Sequence, residues 1–336
     1  MWQWILVFTA LLAFVLTGLV YRYASHYRLL DIPNSRSSHV RPTPSGGGLA
    51  IVVAVVVGAM LLVWQSMLPV DILYLLGPGI LLALLGLLDD RFQLASGWRL
   101  LGQIGVACIV LWLLKGVPWL TLPGLNIQAY YIAEILLLLF FVWYLNLYNF
   151  MDGINGIASL QAISVCLGAL LLIATTMTLE KELALFISLL LVACLGFLPW
   201  NFPQAKIFMG DAGSLFCGYF LVLAMLLSGW LKPSLFWALL ILSGYFITDA
   251  TFTLLHRLLR RQRVWEAHRL HAYQKLARRW NSHARVSCMV IMINLGGLLP
   301  VAWLVASESI PAIAGAVLAY LPLVLLVWRA GAGKTT

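Results

Sequence analysis

The chain alternates long apolar runs with short polar segments. Apolar runs of about 18 residues or more recur along its length, and each can cross the roughly 30 Å hydrocarbon core of a bilayer. Because lipid cannot satisfy backbone N–H and C=O groups, such unbroken runs are expected to be helices rather than barrel strands. The pattern predicts about eleven transmembrane helices, near residues 2–22, 47–65, 70–88, 98–114, 130–148, 157–178, 183–200, 214–230, 234–255, 286–305 and 310–328.

Composition supports the same fold class. Hydrophobic residues make up 62% of the 336 residues and charged residues only 10%, too few polar side chains to cover a soluble domain. We expect an all-α polytopic membrane protein in which residues 1–336 form one integral membrane domain. Residues 1–8 lack a basic n-region and no cleavage site precedes Tyr21, so the first helix is expected to be retained. The five cysteines lie in apolar runs without pairing or metal spacing, which predicts buried free thiols.

The distribution of lysine and arginine predicts the orientation. With the amino terminus outside, one side of the bundle holds three basic residues, Lys115, Lys181 and Lys232. The other side holds eighteen: Arg22, Arg28, Arg36, Arg41, Arg91, Arg99, Lys206, Arg257, Arg260, Arg261, Arg263, Arg269, Lys275, Arg278, Arg279, Arg285, Arg329 and Lys334. The positive-inside rule makes the crowded side, with the carboxyl terminus, cytoplasmic. The net charge of +9 then reflects topology and headgroup contacts rather than nucleic-acid binding.

Four polar segments that each contain a carboxylate interrupt the apolar pattern. They are residues 86–91, 146–156, 208–214 and a basic loop at 256–285, and all lie on the predicted cytoplasmic side with the loop at 31–48. Acidic residues beside hydrocarbon are costly, so their placement needs a functional reason. We expect these segments to form one active site on the cytoplasmic face.

Two of the segments carry candidate metal or acid–base chemistry. The adjacent carboxylates Asp89 and Asp90 repel each other, which favours sharing a proton or a cation and suits a general base or a divalent ion. Asp211 lies among small residues that let a ligand approach. With Asp89 or Asp90 it could supply oxygen ligands for Mg²⁺. The structural alternatives are that the Asp-Asp pair ends a helix and that Asp211 caps the next one.

Amides and histidines mark the other two segments. Asn146, Asn149, Asp152 and Asn155 recur at three-residue spacing, and on a helix they would project near one face and hold a nucleotide or the outer ligands of a metal. Helix capping alone does not require four such residues. In the basic loop, positive donors at 268–271 suit a diphosphate. Zinc binding there is disfavoured because no third ligand has zinc-site spacing, and a headgroup-bound amphipathic helix is the structural alternative.

Together the motifs resemble the polyprenyl-phosphate N-acetylhexosamine-1-phosphate transferase superfamily, glycosyltransferase family 4. The motifs follow the family's order: Asp-Asp at 89–90, Asn-x-x-Asn-x-x-Asp-Gly-x-x-Gly at 146–156, Phe-x-Gly-Asp-x-Gly-Ser at 208–214 and His-Arg-x-His at 268–271. Two features depart from the branch of the peptidoglycan lipid I synthase. Asn155 stands where that branch has an aspartate, and the histidines are not consecutive. Both departures look closer to the O-antigen-initiating branch.

The resemblance implies a bacterial inner-membrane enzyme with a periplasmic amino terminus. Its reaction would transfer N-acetylhexosamine 1-phosphate from a UDP-sugar to undecaprenyl phosphate, release UMP, and start an O-antigen or other cell-envelope polysaccharide. Mg²⁺, or Mn²⁺ in its place, is the implied cofactor. The sequence leaves open whether the chain forms a homodimer, and whether the donor carries N-acetylglucosamine, N-acetylfucosamine or N-acetylquinovosamine.

The same resemblance implies residue roles. Asp211 would bind Mg²⁺ with Asp90 as its partner, and Asp89 would be the base or would orient the lipid phosphate. The nucleotide and sugar would be held by the remaining candidates: Asn149, Asp152, Asn155, Phe208, Arg41, His268, Arg269 and His271. Phe208 would stack on uracil. A direct attack and a route through an aspartyl-phosphate both remain open.

Three other classes of protein fit the sequence less well. A Mg²⁺-dependent intramembrane prenyltransferase needs two aspartate-rich clusters, and no third carboxylate lies near Asp89 and Asp90. A transporter would place charges near mid-span and show half-repeats, whereas the key charges here lie at span ends. Residues 331–336 resemble part of a nucleotide-binding P-loop, but Trp328 stands where its first glycine is required.

Overall fold

A computed structural model describes residues 2–23, 30–31, 42–116, 127–177, 180–262 and 268–334, and the structural statements below concern these residues. The described chain is built almost entirely from helices, which confirms the predicted all-α class. The helices are α1 Trp2–Tyr23, α2 Gly48–Trp64, α3 Asp71–Phe92, α4 Ser96–Leu113, α5 Ile127–Met151, α6 Ile157–Thr176, α7 Lys181–Asn201, α8 Gly210–Leu231, α9 Pro233–Leu242, α10 Gly244–Leu259, α11 Ala272–Trp280, α12 His283–Met292, α13 Leu299–Ala306 and α14 Ala312–Arg329. A π-helical segment, Ile293–Leu298, joins α12 to α13.

Nine spans in the described chain are long and apolar enough to cross a membrane. A tenth can come from α9 and α10, which are bent by 65° relative to each other. The bend lies at Ser243, directly before Gly244, and such Ser/Gly pairs are common sites of helix kinks. Helix α2, at 17 residues, is apolar but shorter. All the predicted spans therefore coincide with helices, and the chain is a multi-pass membrane protein.

Burial separates central from peripheral helices. In α8 and α6, 83% and 78% of the most apolar window is buried, against 17% in α1 and 22% in α14. The outer helices expose large apolar side chains such as Trp4, Trp112 and Ile313, as expected of surfaces that face lipid. The cysteines in the described residues are free. The prediction that all are buried is wrong for Cys108 and Cys288, because both lie on peripheral helices where an apolar sequence faces outward.

A close crossing of α3 and α8 brings the predicted motifs together. Gly86 of α3 packs directly on the start of α8, where an added Cβ would lie 2.5 Å from the carbonyl carbon of Asp211. No larger residue fits at this crossing, since that distance is shorter than real Cβ contacts. The carboxyl end of α3 therefore lies beside the amino end of α8.

A two-stranded pair supports the segment that precedes α8. Strands β1 (Leu30–Asp31) and β2 (Thr43–Pro44) pair antiparallel. The carbonyl of Pro44 accepts a hydrogen bond from the backbone N–H of Phe208 at 2.8 Å, and Gly47 donates its N–H to the carbonyl of Phe208 at 3.0 Å. These bonds fix Phe208 next to the start of α2.

Candidate active site

A polar cavity of about 230 Å³ lies where the ends of α3, α5 and α8 meet. Six of the predicted site residues line it: Asp90, Asn149, Asp152, Asn155, Phe208 and Asp211. They come from three separate polar segments of the sequence. The structure thus brings residues of three predicted segments to one cavity, and their role as an active site stays a prediction.

Asp90 and Asp211 form the acidic part of the cavity. The backbone N–H of Asp211 donates to the Asp90 carboxylate, with distances of 3.1 Å to Oδ2 and 3.3 Å to Oδ1. Gly210 lets the Asp90 carboxylate lie this close to the backbone of α8, because its φ is +75° and an added Cβ would lie 2.8 Å from Asp90 Oδ2. Asp90 therefore caps the first turn of α8 from another helix. Asp211 itself lies inside that first turn rather than capping a helix that begins at Ser214.

Asn149 positions the side chain of Asp211. Its Nδ2 donates to Asp211 Oδ1 at 2.8 Å and to Ser214 Oγ at 2.9 Å. A carboxylate that is held in this way has a fixed orientation before any ligand binds. The predicted contact between Asn149 and a nucleotide stays a prediction.

Asp152 follows the last residue of α5 and faces the same cavity. Burial raises the pKa of its carboxyl well above the ordinary value, and the negative charges of Asp211 and Asp90 raise it further. Three carboxylates thus converge on one small volume. Their negative charges repel one another at this short range.

The four polar residues predicted to share one helix face, Asn146, Asn149, Asp152 and Asn155, do not all lie on α5, because that helix ends at Met151. Asn146 is inside α5 and pairs with Gln103 of α4, with Nδ2 donating to Gln103 Oε1 at 2.6 Å. Asn155 lies in the following turn, where its Nδ2 donates to the carbonyl of Pro203 at 3.2 Å. Asn155 therefore reaches the cavity through the turn and not through helical spacing.

Asp89 lies in a different environment from Asp90. Its Oδ2 forms an ion pair with Arg99 Nη1 at 2.6 Å, and its Oδ1 accepts the backbone N–H of Leu94 at 2.8 Å. The side chain is 8% exposed. These contacts join the Asp89 carboxylate to the first turn of α4. The predicted catalytic role of Asp89 stays a prediction.

The histidine segment lies beside the site, and its predicted substrate contacts stay predictions. His271 is buried, with Nδ1 3.6 Å from Asp249 Oδ1, and its ring lies 4.8 Å from that of His268. Burial lowers the pKa of His268, and the charges of His271 and Arg257 lower it further, so His268 is neutral near pH 7. The carbonyl of Arg269 accepts a hydrogen bond from Arg278. Arg41, the remaining predicted residue, lies outside the described residues.

Sequence reasoning missed several residues of the site. Five more that line the cavity are Asp31, Ser45, Asn201, Gln274 and His283. Another residue that was missed, Asp249, is not part of the cavity lining; it is fully buried in α10 and accepts the backbone N–H groups of Ala272 and Tyr273 at 2.7 and 2.9 Å. Asp249 could have been found, because an ionisable residue inside an apolar span is by default a candidate functional residue.

The donor set fits Mg²⁺ better than zinc. In the described part of the chain, no group of three or more His, Cys, Asp or Glu side chains could hold a metal ion. Mg²⁺ needs fewer protein ligands, since it is commonly bound through one or two carboxylates with substrate phosphates and water completing its shell. Asp90 and Asp211 match that pattern.

Comparisons with known proteins define the class of this molecule. The model of glycosyl transferase family 4 matches residues 72–229, which include the three segments that line the cavity. A probable undecaprenyl-phosphate N-acetylglucosaminyl 1-phosphate transferase from Bacillus subtilis is 31% identical, over 85% of this chain and 80% of the relative. The chain therefore belongs to glycosyl transferase family 4, and the predicted resemblance is confirmed.

Two further relatives show which kinds of enzyme the chain is similar to. An undecaprenyl-phosphate alpha-N-acetylglucosaminyl 1-phosphate transferase from Thermotoga maritima is 29% identical, over 86% of this chain and 88% of the relative. A phospho-N-acetylmuramoyl-pentapeptide-transferase from Bacillus licheniformis is also 29% identical, over 63% of this chain and 68% of the relative. The relatives thus support a multi-pass phosphoglycosyl transferase.

Proposed function

We propose that this protein transfers N-acetylhexosamine 1-phosphate from a UDP-sugar to undecaprenyl phosphate and releases UMP. The observation that carries the proposal is the meeting of Asp90 and Asp211 in the lining of a polar cavity. A phosphoryl-transfer site needs mainly to position its reactants and neutralise charge. The names of the relatives from Bacillus subtilis and Thermotoga maritima support the same reaction.

The acidic part of the cavity would hold the metal and the donor diphosphate. Asp90 and Asp211 would bind Mg²⁺, or Mn²⁺ in its place, which when bound neutralises phosphate charge. Asn149 keeps the Asp211 carboxylate in position. The uracil would lie on Phe208, which is held in place by the strand pair, and Asp152 would contact the nucleotide.

A second, apolar groove suits the acceptor lipid. It has a volume of about 740 Å³ and lies between α4, α5 and α10, with Leu100, Leu139, Trp143 and Leu255 among its lining residues. Arg99 also lines it. A polyprenyl chain could occupy the apolar part while Arg99 binds the terminal phosphate, because guanidinium groups bind phosphates with paired hydrogen bonds.

The Asp-Asp pair connects the groove to the cavity. Asp89 is bonded to Arg99 of the groove, and the next residue, Asp90, lines the cavity. An acceptor phosphate bound to Arg99 would therefore lie near the donor and would compete with the carboxylate of Asp89. In the proposed step an oxygen of the lipid phosphate attacks the β-phosphorus of the donor. A new P–O bond forms, and the bond to the bridging oxygen breaks so that the electron pair leaves with UMP.

The proposal extends to the donor sugar, to the glycan that the product begins and to the orientation of the protein in the membrane. N-acetylglucosamine is the favoured donor sugar, since the relatives from Bacillus subtilis and Thermotoga maritima, which align with 85% and 86% of this chain, are named for it. The product would begin an O-antigen or another cell-envelope polysaccharide. The excess of basic residues on one side supports a cytoplasmic site, a periplasmic amino terminus and insertion in the inner membrane.

A donor panel tests the proposed function. Purified protein in lipid nanodiscs is given undecaprenyl phosphate, Mg²⁺ and one of several UDP-N-acetylhexosamines. We expect a lipid-linked diphosphosugar from at least one donor, with UDP-N-acetylglucosamine the best. Absence of lipid product from every donor, with protein that remains folded, would overturn the proposal.

A further inference from the structure

The chain turns back after α14 instead of running on from that helix. Gly331 and Gly333 have φ values of +80° and +75°, in the left-handed region. In the turn, the N–H of Ala332 donates to the carbonyl of Val327 at 3.1 Å. Glycine adopts this conformation without steric cost, so the two glycines allow the reversal. Residues 332–334 thereby come to lie against α10 and α11.

Residues 332–334, the post-α14 segment, are bonded to the histidine segment, residues 268–271. The N–H of Gly333 donates to the carbonyl of Leu270 at 2.9 Å. An added Cβ on Gly333 would lie 2.8 Å from the Cβ of His256, which belongs to the last turn of α10. Because the Cβ of His256 is fixed by its helix backbone, no larger residue fits at position 333 without displacing the post-α14 segment.

The post-α14 segment also covers the first turn of α11. The carbonyl of Lys334 accepts a hydrogen bond from Lys275 Nζ at 2.7 Å. Ala332 is 1% exposed and packs on Ala272, the first residue of α11. The buried carboxylate of Asp249 in α10 accepts the backbone N–H of Ala272 at 2.7 Å. The start of α11 is therefore held by two elements, α10 and the post-α14 segment.

The part of the chain that is held in this way reaches the polar cavity. Gln274, in the first turn of α11, lines the cavity. Its neighbour Tyr273 donates its hydroxyl to the carbonyl of Phe150, near the end of α5, at 2.9 Å. Among the described residues that line the cavity, none belongs to the post-α14 segment. This segment can therefore act on the reaction only through the residues that it holds.

We propose that the post-α14 segment is a positioning element of the active site, an inference that rests on the proposed function. It fixes the histidine segment and the first turn of α11 against α10, and so sets the position of the cavity wall that Gln274 belongs to. Misplacement of site groups by about 1 Å, caused by a change far from the reacting atoms, can lower a rate by about 10²-fold. Loosening the post-α14 segment is expected to reduce turnover while the central helices stay folded.

Two asparagine variants separate the docking of the segment from backbone strain. Asparagine tolerates the left-handed conformation better than most residues that have a Cβ. In Gly333→Asn the new Cβ collides with His256 and displaces the segment. In Gly331→Asn the new Cβ lies 3.6 Å from Lys275 Nζ, the end of a flexible side chain. We expect kcat/KM for the UDP-sugar to fall by about tenfold to hundredfold in Gly333→Asn and to stay near wild type in Gly331→Asn.

Hydrogen exchange shows whether the loss arises at the expected place. In Gly333→Asn, amide exchange of residues 268–275 should rise, while exchange in α6 and α8 and the melting temperature stay near wild type. If Gly333→Asn is not recovered folded, Gly333→Ala introduces a smaller side chain with the same collision and is measured in the same way.

Three results would overturn the role of the post-α14 segment. They are a folded Gly333 variant with wild-type kcat/KM, a lowered kcat/KM without faster exchange confined to residues 268–275, and an equal loss of kcat/KM in Gly331→Asn. Wild-type protein that transfers no hexosamine phosphate would instead overturn the proposed function itself.

Discussion

The backbone N–H of Asp211 donates to the carboxylate of Asp90 at 3.1 Å, although the two residues are 121 positions apart and lie on different helices. This bond holds the first turn of α8, which carries Asp211, beside the carboxylate of Asp90, and Asn149 orients the Asp211 carboxylate. Like charges held so close repel each other, and in the proposed function a divalent cation bound by both carboxylates would relieve that repulsion. The absence of a side chain at Gly86 and Gly210 is what allows this contact.

Replacement of Asp211 tests the metal site. An amide is a neutral and weaker oxygen ligand, and the lost charge matters most while the phosphoryl group transfers. Asp211→Asn should therefore lower turnover by orders of magnitude while the protein remains folded and inserted. Initial rates over a Mg²⁺ titration, together with a melting curve, measure both properties. Near-normal turnover at ordinary Mg²⁺ would remove Asp211 from the site.

The two aspartates outside the metal pair should differ in their kinetic effects. Asp89 is expected to act on the lipid phosphate, so Asp89→Asn should lower kcat with little change in donor KM. Asp152 is expected to hold the nucleotide, so Asp152→Asn should mainly raise donor KM. A group engaged only in the transition state affects kcat, whereas one that binds ground and transition states alike affects KM. The opposite pattern in steady-state kinetics would reverse these assignments.

When the site is empty, ionisation of the Asp152 carboxyl should lower the stability of the folded protein as the pH rises. Because the pKa of its carboxyl is raised in the folded protein, ionisation costs folding free energy above the ordinary pKa of an unfolded aspartate, about 4. Asp152→Asn removes that cost. Without divalent cations or nucleotide, the variant should melt at a higher temperature than wild type at pH 8, and the difference should shrink toward pH 4.

Tryptophan-fluorescence melting curves over that pH range measure this effect. Asp71→Asn is a suitable control, since Asp71 is an exposed carboxylate at the start of α3, outside the cavity. It should show no such gain. A melting temperature of Asp152→Asn at or below that of wild type at pH 8 would contradict the account of Asp152.

Accessibility tags test the orientation. Tags within residues 31–45 and near Arg278 should be cytoplasmic, whereas a tag near Lys181 should be periplasmic, as the basic-residue distribution predicts. Labelling with a membrane-impermeant reagent in intact spheroplasts distinguishes the sides. A Lys181 tag on the same side as the other two would break the topology.

The sequence predicts the helices and most of the acidic site because each depends on a local signal. Apolar run length is enough to find the spans, and carboxylates at span ends identify Asp90 and Asp211. Gln274 has no such signal. It reaches the cavity because it lies in the first turn of α11, and the position of that turn depends on hydrogen bonds to Asp249 in a different helix. Likewise, three-residue spacing could not predict that α5 ends at Met151 and that Asn155 reaches the cavity from a turn.

The nucleotide released is the most direct test of the central claim. Purified protein is incubated with UDP-N-acetylglucosamine, undecaprenyl phosphate and Mg²⁺, and the nucleotide products are separated by ion-exchange chromatography. Attack at the β-phosphorus predicts UMP in equal amount to the lipid-linked diphosphosugar, and no product when either the lipid phosphate or the divalent cation is left out. Release of UDP would mean transfer of the sugar without its phosphate. Such a result, or UMP release that needs no lipid phosphate, would contradict the account.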